Sequence, residues 1–307
     1  MPGDIRRSRN GRRRLNKRGR RKRRIRRILS AVVVFIPLFA AVVFLKNFIG
    51  DHFVMTDSGI TRDTGSYQVQ NTAAAQSITD GEIRSRLTEM AQTDEKVRQV
   101  LGQADRYPQD LLELLANNEE TADFVLDYME KKDDPPAKNI GDITSGEIPL
   151  LLQWDERWGY AQYGDNMIAI NGCGPTVVAM VAAGLTGDNT ITPYRVAQYA
   201  EEQGYYTGES GTSWELMTAG AEHFGVQGQE LGLSENGILS ELESGHPIVC
   251  SMRPGDFTTT GHFIVLTGVE DGKIRVNDPN SRQRSEELWD YDTLEYQINN
   301  LWAFSTM

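Results

Sequence analysis

The stretch Gly261-His262-Phe263-Ile264-Val265-Leu266-Thr267-Gly268-Val269-Glu270-Asp271-Gly272-Lys273-Ile274-Arg275-Val276-Asn277-Asp278-Pro279 decides how the second half of this chain folds. Two runs rich in β-branched residues, His262–Val269 and Lys273–Asn277, flank Glu270-Asp271-Gly272, a pairing that predicts an antiparallel hairpin closed by a tight turn. A third strand is expected just upstream, over Pro247–Met252. Further back, spacing and punctuation predict helices over Gly174–Gly184, Pro193–Glu202, Ser213–Phe224 and Glu235–Glu243. Helices first and an antiparallel sheet later indicate an α+β domain, here expected over 148–307. No repeat of solenoid period is present.

The hairpin also carries chemistry. His262 starts one strand and Asp278 follows the next, so an antiparallel pairing brings them side by side. A carboxylate next to an imidazole fixes its tautomer and stabilises its protonated form. Upstream, Cys173 stands in Asn171-Gly172-Cys173-Gly174-Pro175-Thr176, directly before an apolar helical run. A helix beginning at the cysteine points its N-terminal dipole and free N–H groups at the sulfur, which favours a thiolate and a nearby oxyanion. Pro175 suits the first helical turn. Taken singly, each residue has a plain structural use: a disulfide for the cysteine, a strand position for the histidine, a turn for Asp278-Pro279. The order Cys, His, Asp on these three elements points to a thiol nucleophile with its base and orienter.

Four stretches together, Gln153-Trp154-Asp155-Glu156-Arg157-Trp158, Asn171–Thr176, Gly261–Leu266 and Asn277-Asp278-Pro279, resemble the papain-fold cysteine peptidases related to the bacteriocin (double-glycine) leader peptidases. The resemblance covers about half the chain, from Ile148 onward. It implies a papain-like fold, with Cys173 as nucleophile, His262 as general base and then acid, and Asp278 as the orienter of His262. It also implies Gln153 as the oxyanion-hole side chain beside the backbone N–H of Cys173. Twenty residues separate Gln153 from Cys173, a wider spacing than papain-like enzymes show, and Asn166 or Asn171 are alternatives for that role. A Gly-rich phosphate loop ending in Lys-Ser/Thr is absent from these residues, and a transporter-fused form is not the expectation.

Other residues receive simpler readings. Cys250, within Pro247–Met252, reads as a buried strand residue. His223 and His246 read as surface groups. Of Trp154, Trp158 and Trp214, at least two are expected in the core. No His lies three or four residues from another, and two cysteines exclude a four-cysteine zinc site and iron–sulfur clusters, so neither cofactor nor metal is expected.

The first half is organised by charge and hydropathy. The 307 residues carry a net charge of -11, but residues 1–27 hold fifteen Lys/Arg against one acid, Asp4. The acidic remainder argues against nucleic-acid binding by the bulk of the protein. Residues 28–46 follow as an apolar span long enough to cross a bilayer, and the basic run before it predicts an N-terminus in the cytoplasm. The expected order is a basic cytoplasmic leader attracted to anionic lipid (1–27), a single-pass transmembrane helix (28–46) and a flexible tether (47–76). A small helical spacer follows (77–134), with Ile83, Leu87, Val97, Leu111, Leu115 and Val125 among its periodic apolar residues.

The expected protein is therefore a membrane-anchored cysteine peptidase with its catalytic domain outside the cytoplasmic membrane, acting on peptides or proteins, cell-wall peptide included. Two alternatives are a non-catalytic peptide- or cell-wall-binding module of the same fold, including one with a Cys173–Cys250 disulfide, and an acyl-transferring variant of the same triad.

Overall fold

The computed structural model describes residues 80–208 and 211–307. The expected leader (1–27), membrane helix (28–46) and tether (47–76) lie outside the described residues. Among the described residues no helix is long and apolar enough to cross a membrane.

The helical part comprises α1 (Asp80–Met90), α2 (Glu95–Leu101), α3 (Gln109–Asn117) and α4 (Ala122–Lys131). Local chemistry sets several of their ends. The Asp94 side chain accepts from the N–H groups of Lys96 and Val97, satisfying donors that have no partner in the first turn of α2. Pro108 precedes α3, and Asn118 caps the short turn Glu119–Thr121 that leads into α4. Val97, Leu111, Leu115 and Val125 are wholly buried, each contributing about 1.5–3 kcal/mol by leaving water. Their cluster does not close on itself. Leu152, Trp154 and Ala169, from the segment that follows, belong to the same core. The Phe124 and Tyr160 rings stack at 4.2 Å, and Lys131 meets Glu156 at 2.6 Å. All described residues fall within one compact unit.

Beyond a small hairpin, β1 (Gln162–Tyr163) and β2 (Asn166–Met167), the one-turn helix α5 (Ile168–Asn171) leads into α6 (Cys173–Thr186). Residues 174–184 of α6 are buried on every side, as their near-continuous apolar sequence requires. Helix α7 (Pro193–Glu202) starts as the sequence signals, with Thr192 accepting from Arg195 N and proline in the first turn.

One expected helix is corrected here. Ser213–Phe224 is not continuous: a 3-10 turn (Trp214–Met217) is followed by Thr218 at φ -115°, ψ -98°, and then by the one-turn α8 (Ala219–Glu222). Ser213 caps the first turn, and the Thr218 hydroxyl donates to the Glu215 carbonyl, side-chain bonds that compete with a regular helical ladder.

The sheet is built from β3 (Val226–Glu230), β4 (Ile248–Met252), β5 (His262–Glu270), β6 (Lys273–Asn277), β7 (Leu288–Trp289) and β8 (Ile298–Thr306), in spatial order β3-β8-β4-β5-β6-β7. Every pairing is antiparallel. Helix α9 (Glu235–Glu243) precedes β4, α10 (Arg282–Glu286) precedes β7, and α11 (Tyr291–Glu295) precedes β8. The β5–β6 turn has Asp271 at φ 51° and Gly272 at φ 77°, the left-handed pair that a two-residue hairpin needs.

Alternate residues serve alternate faces of this sheet. Val249, Val265 and Trp302 join the core that contains α6 and α7. Ile248, Cys250, Ile264 and Leu301 join a second core with Ile238 and Leu242 of α9.

Candidate active site

Cys173 is the first residue of α6, and Gly172 separates that helix from α5. A Cβ on Gly172 would lie 2.5 Å from the Ile168 carbonyl oxygen, and one on Gly174 would lie 2.7 Å from the Thr212 side chain. Both glycines are therefore demanded by close approach, and between them the half-buried, free thiol of Cys173 is presented at the start of the helix. The first backbone N–H groups of α6, without partners inside the helix, face the same region.

His262 opens β5, opposite Met252 of β4. Asp278 follows Asn277, the last residue of β6, which pairs with Val265. The hairpin thus brings the two side chains together: His262 Nε2 donates to Asp278 Oδ1 at 2.8 Å. Asp278 has no exposed surface and His262 is buried.

The carboxylate is fully engaged. Its Oδ1 also accepts from Asn280 N at 2.7 Å, and its Oδ2 accepts from Arg284 Nε at 2.6 Å. Burial would raise the Asp278 pKa, but His262 and Arg284 outweigh it and hold the carboxyl below its usual range. Burial would likewise lower the His262 pKa. The Asp278 charge and hydrogen bond, with Cys173 adding to them, push it up to about 10 instead. Since an ionised carboxylate only accepts, Nε2 carries the proton, and Nδ1 is the ring nitrogen left for exchange with the thiol.

Gln153 is buried against α5, the one-turn helix that leads to Cys173. Its backbone N–H donates to Pro279 O at 2.8 Å, and its Nε2 donates to Ala169 O at 2.8 Å. Its Oε1 has no hydrogen-bond partner. The alternatives are engaged elsewhere. Asn166 Nδ2 donates to Asp110, and Asn171 Nδ2 bridges Asp165 Oδ1 and the Tyr206 hydroxyl.

A family model described as Peptidase_C39 like family matches residues 146–305, just over half of the chain. The chain belongs to this C39-like peptidase family. Among solved structures it is similar to the peptidase domain of Streptococcus ComA, a bi-functional ABC transporter involved in a quorum-sensing pathway. That likeness has 16% identity and a TM-score of 0.36, over 45% of this chain and 93% of the other. It is also similar to a C39-like peptidase from Bacillus anthracis, at 15% identity and a TM-score of 0.31, over 53% of this chain and 97% of the other. No curated protein matches the chain.

In this C39-like chain the two cysteines are both free and serve opposite faces of the sheet: Cys173 packs against the core holding α6, Cys250 within the core holding α9. The sheet lies between them, so the disulfide of the alternative reading is not present. Burial pushes the Cys250 thiol up, away from reactivity. Trp154 and Trp158 are core residues, whereas Trp214 is exposed and rests edge-on against Trp302. Among the described residues no cluster of three or more His, Cys, Asp or Glu is placed to hold a metal ion. Sequence reasoning missed Arg284. It lies in Ser281-Arg282-Gln283-Arg284-Ser285, which has no motif, and only the return of α10 toward Asp278 gives it a partner.

Proposed function

We propose that this C39-like chain is a cysteine peptidase that hydrolyses peptide bonds through Cys173, His262 and Asp278. The observation that carries the reading is the His262 Nε2–Asp278 Oδ1 hydrogen bond at 2.8 Å, on an imidazole whose pKa is raised both by that carboxylate and by Cys173. In this reading the imidazole takes the thiol proton, and the attacking group is a thiolate beside an imidazolium.

The thiolate attacks the scissile carbonyl carbon, and the oxyanion is stabilised by the Cys173 N–H at the start of α6. Gln153 is the second donor in this reading, its amide turning from the Ala169 carbonyl into the hole as substrate binds.

 In this movement the Ala169 carbonyl gives up its bond to Gln153 Nε2. The imidazolium then passes its Nδ1 proton to the leaving amine, which departs and leaves an acyl-enzyme. Nδ1 next takes a proton from water, the hydroxide cleaves the thioester, and the thiolate–imidazolium pair is restored.

The basic residues 1–27 and the apolar span 28–46 support a single-pass anchor, with the peptidase on the outer face of the cytoplasmic membrane. Peptides or proteins outside that membrane, cell-wall peptide included, are the substrate class in this reading.

Iodoacetamide labelling of the whole chain at neutral pH tests the proposal. Cys173 is expected to react far faster than Cys250, and Cys173→Ala to abolish hydrolysis of a peptide library while the protein stays folded. Equal, slow labelling of both thiols, with library hydrolysis unaffected by Cys173→Ala, overturns it.

A further inference from the structure

The helical part, residues 80–131, lies outside the stretch that matches the family, yet it holds the loop that carries Asp278. Four contacts span more than a hundred and sixty residues of sequence. Asn118 Nδ2 donates to Asn280 O at 2.6 Å. Glu120 Oε1 accepts from the Ser281 hydroxyl at 2.5 Å and from Gln283 N at 3.4 Å, and its Oε2 accepts from Arg282 N at 2.8 Å. Trp154, from the segment that packs into the core of the helical part, also holds the loop, donating from Nε1 to Asn280 O at 3.1 Å.

The loop these groups hold is the one that fixes the carboxylate. Ser281 Oγ accepts from Arg284 N at 3.1 Å, Arg284 Nε donates to Asp278 Oδ2, and Asn280 N donates to Asp278 Oδ1. Glu120 therefore stands at the end of a short chain of bonds: Glu120 to Ser281, Ser281 to the first turn of α10, Arg284 on α10 to Asp278, and Asp278 to His262. Glu120 itself is kept in place because Asn118 Oδ1 accepts its backbone N–H.

We infer that Glu120 is a positioning residue for the active site, and that the helical part completes the peptidase instead of spacing it from the membrane. This rests on the proposed peptidase reading. Glu120 acts on the thiol only through the loop: when the carboxylate is held 2.8 Å from His262, the imidazole keeps its proton and the thiolate is stabilised. When the loop is released, the carboxylate no longer offsets the burial of His262, and the imidazole is a weaker acceptor for the thiol proton.

The test is the pH profile of Cys173 alkylation by iodoacetamide in the whole 307-residue chain. In Glu120→Ala the midpoint is expected to move up by about one pH unit, so that labelling at a pH at least one unit below the wild-type midpoint slows about tenfold. Ser281→Ala removes the same link from the loop side and is expected to shift the midpoint in the same direction. It serves in place of Glu120→Ala should that variant not fold. Lys96→Ala, which breaks the exposed Lys96–Asp123 pair in the same helices, is expected to leave the midpoint unchanged. Folded Glu120→Ala or Ser281→Ala with a wild-type midpoint overturns the positioning role, as does an equal shift in Lys96→Ala. A wild-type Cys173 that labels no faster than Cys250 sinks the peptidase reading itself, which separates the two failures.

Discussion

His262 meets Asp278 at 2.8 Å, and His246 meets Glu241 at 2.7 Å. By distance the two pairs are equivalent, and their surroundings separate them. The His246 and Glu241 side chains are 40% and 33% exposed, at the corner between α9 and β4, whereas those of His262 and Asp278 are 7% and 0% exposed. Water screens the first pair and supplies each partner with other hydrogen bonds. The second has no such alternative, so its charges depend on each other, on Arg284 and on Cys173. Burial and a third group make the charges of a histidine–carboxylate contact interdependent, and the separation alone does not distinguish such a pair.

The largest expected difference between the pairs is in turnover. His262→Ala is expected to lower kcat/KM for a peptide substrate by about 10²–10⁴, the usual worth of a positioned acid–base group. His246→Ala should leave it unchanged, and comparable losses in the two variants would break the distinction. Next comes stability. Asp278→Ala leaves His262 and Arg284 buried without their carboxylate, and urea unfolding should show a loss of about 3–5 kcal/mol. Glu241→Ala, at an exposed pair, should cost at most about 1 kcal/mol.

Turnover of Gln153→Ala sharpens the picture around Asp278, since Gln153 binds the adjacent Pro279 carbonyl. With Gln153 as the second oxyanion donor, kcat falls by about 10²-fold with KM little changed. A purely structural Gln153 would show a lower urea midpoint and an unaltered kcat.

The smallest expected effect is a pH dependence of stability. The His262 pKa is raised from 6.5 to about 10, so its contribution is fully present below pH 6.5 and is lost as the pH climbs toward 10. Asp278 is held below its ordinary 3.8, so its contribution is present above that pH and is lost as the pH falls through its depressed folded value. Urea midpoints of the wild type should therefore decline between pH 6.5 and 10 more steeply than those of Asp278→Asn. Identical slopes would remove the coupling on which the contrast with His246 rests.

How far these features were legible in the sequence depended on how local their causes are. Helix α7 was readable because Thr192 caps it and Pro193 opens it, and α9 because Ser234 caps it. The β5–β6 hairpin was readable because Asp271-Gly272 is the turn, and the nearness of His262 to Asp278 followed from that hairpin. The helix at Cys173 was signalled by its glycines, Pro175 and the apolar run. Strands β3 and β8 were not foreseen. Val226–Glu230 is mostly polar, Ile298–Thr306 is interrupted by Asn299 and Asn300, and each becomes a strand by pairing with residues far away in the chain. The same distance hid Arg284 and Glu120. Neither sits in a motif, and their partners are set by the return of α10 and by the packing of the helical part on Trp154.

The place of β8 in the sheet has a consequence for how the molecule assembles. It lies between β3 and β4, with Val226 paired to Thr306 and Val249 to Trp302. Until β8 is added, β3 has no neighbour in the sheet and β4 presents a row of unsatisfied backbone groups to any passing strand. Such long-range pairings are slow to form. A nascent chain that has exposed Cys173, His262 and Asp278 but not yet Ile298–Thr306 still lacks the strand that joins its sheet, so the side chains of the candidate site are complete in sequence before their scaffold is closed.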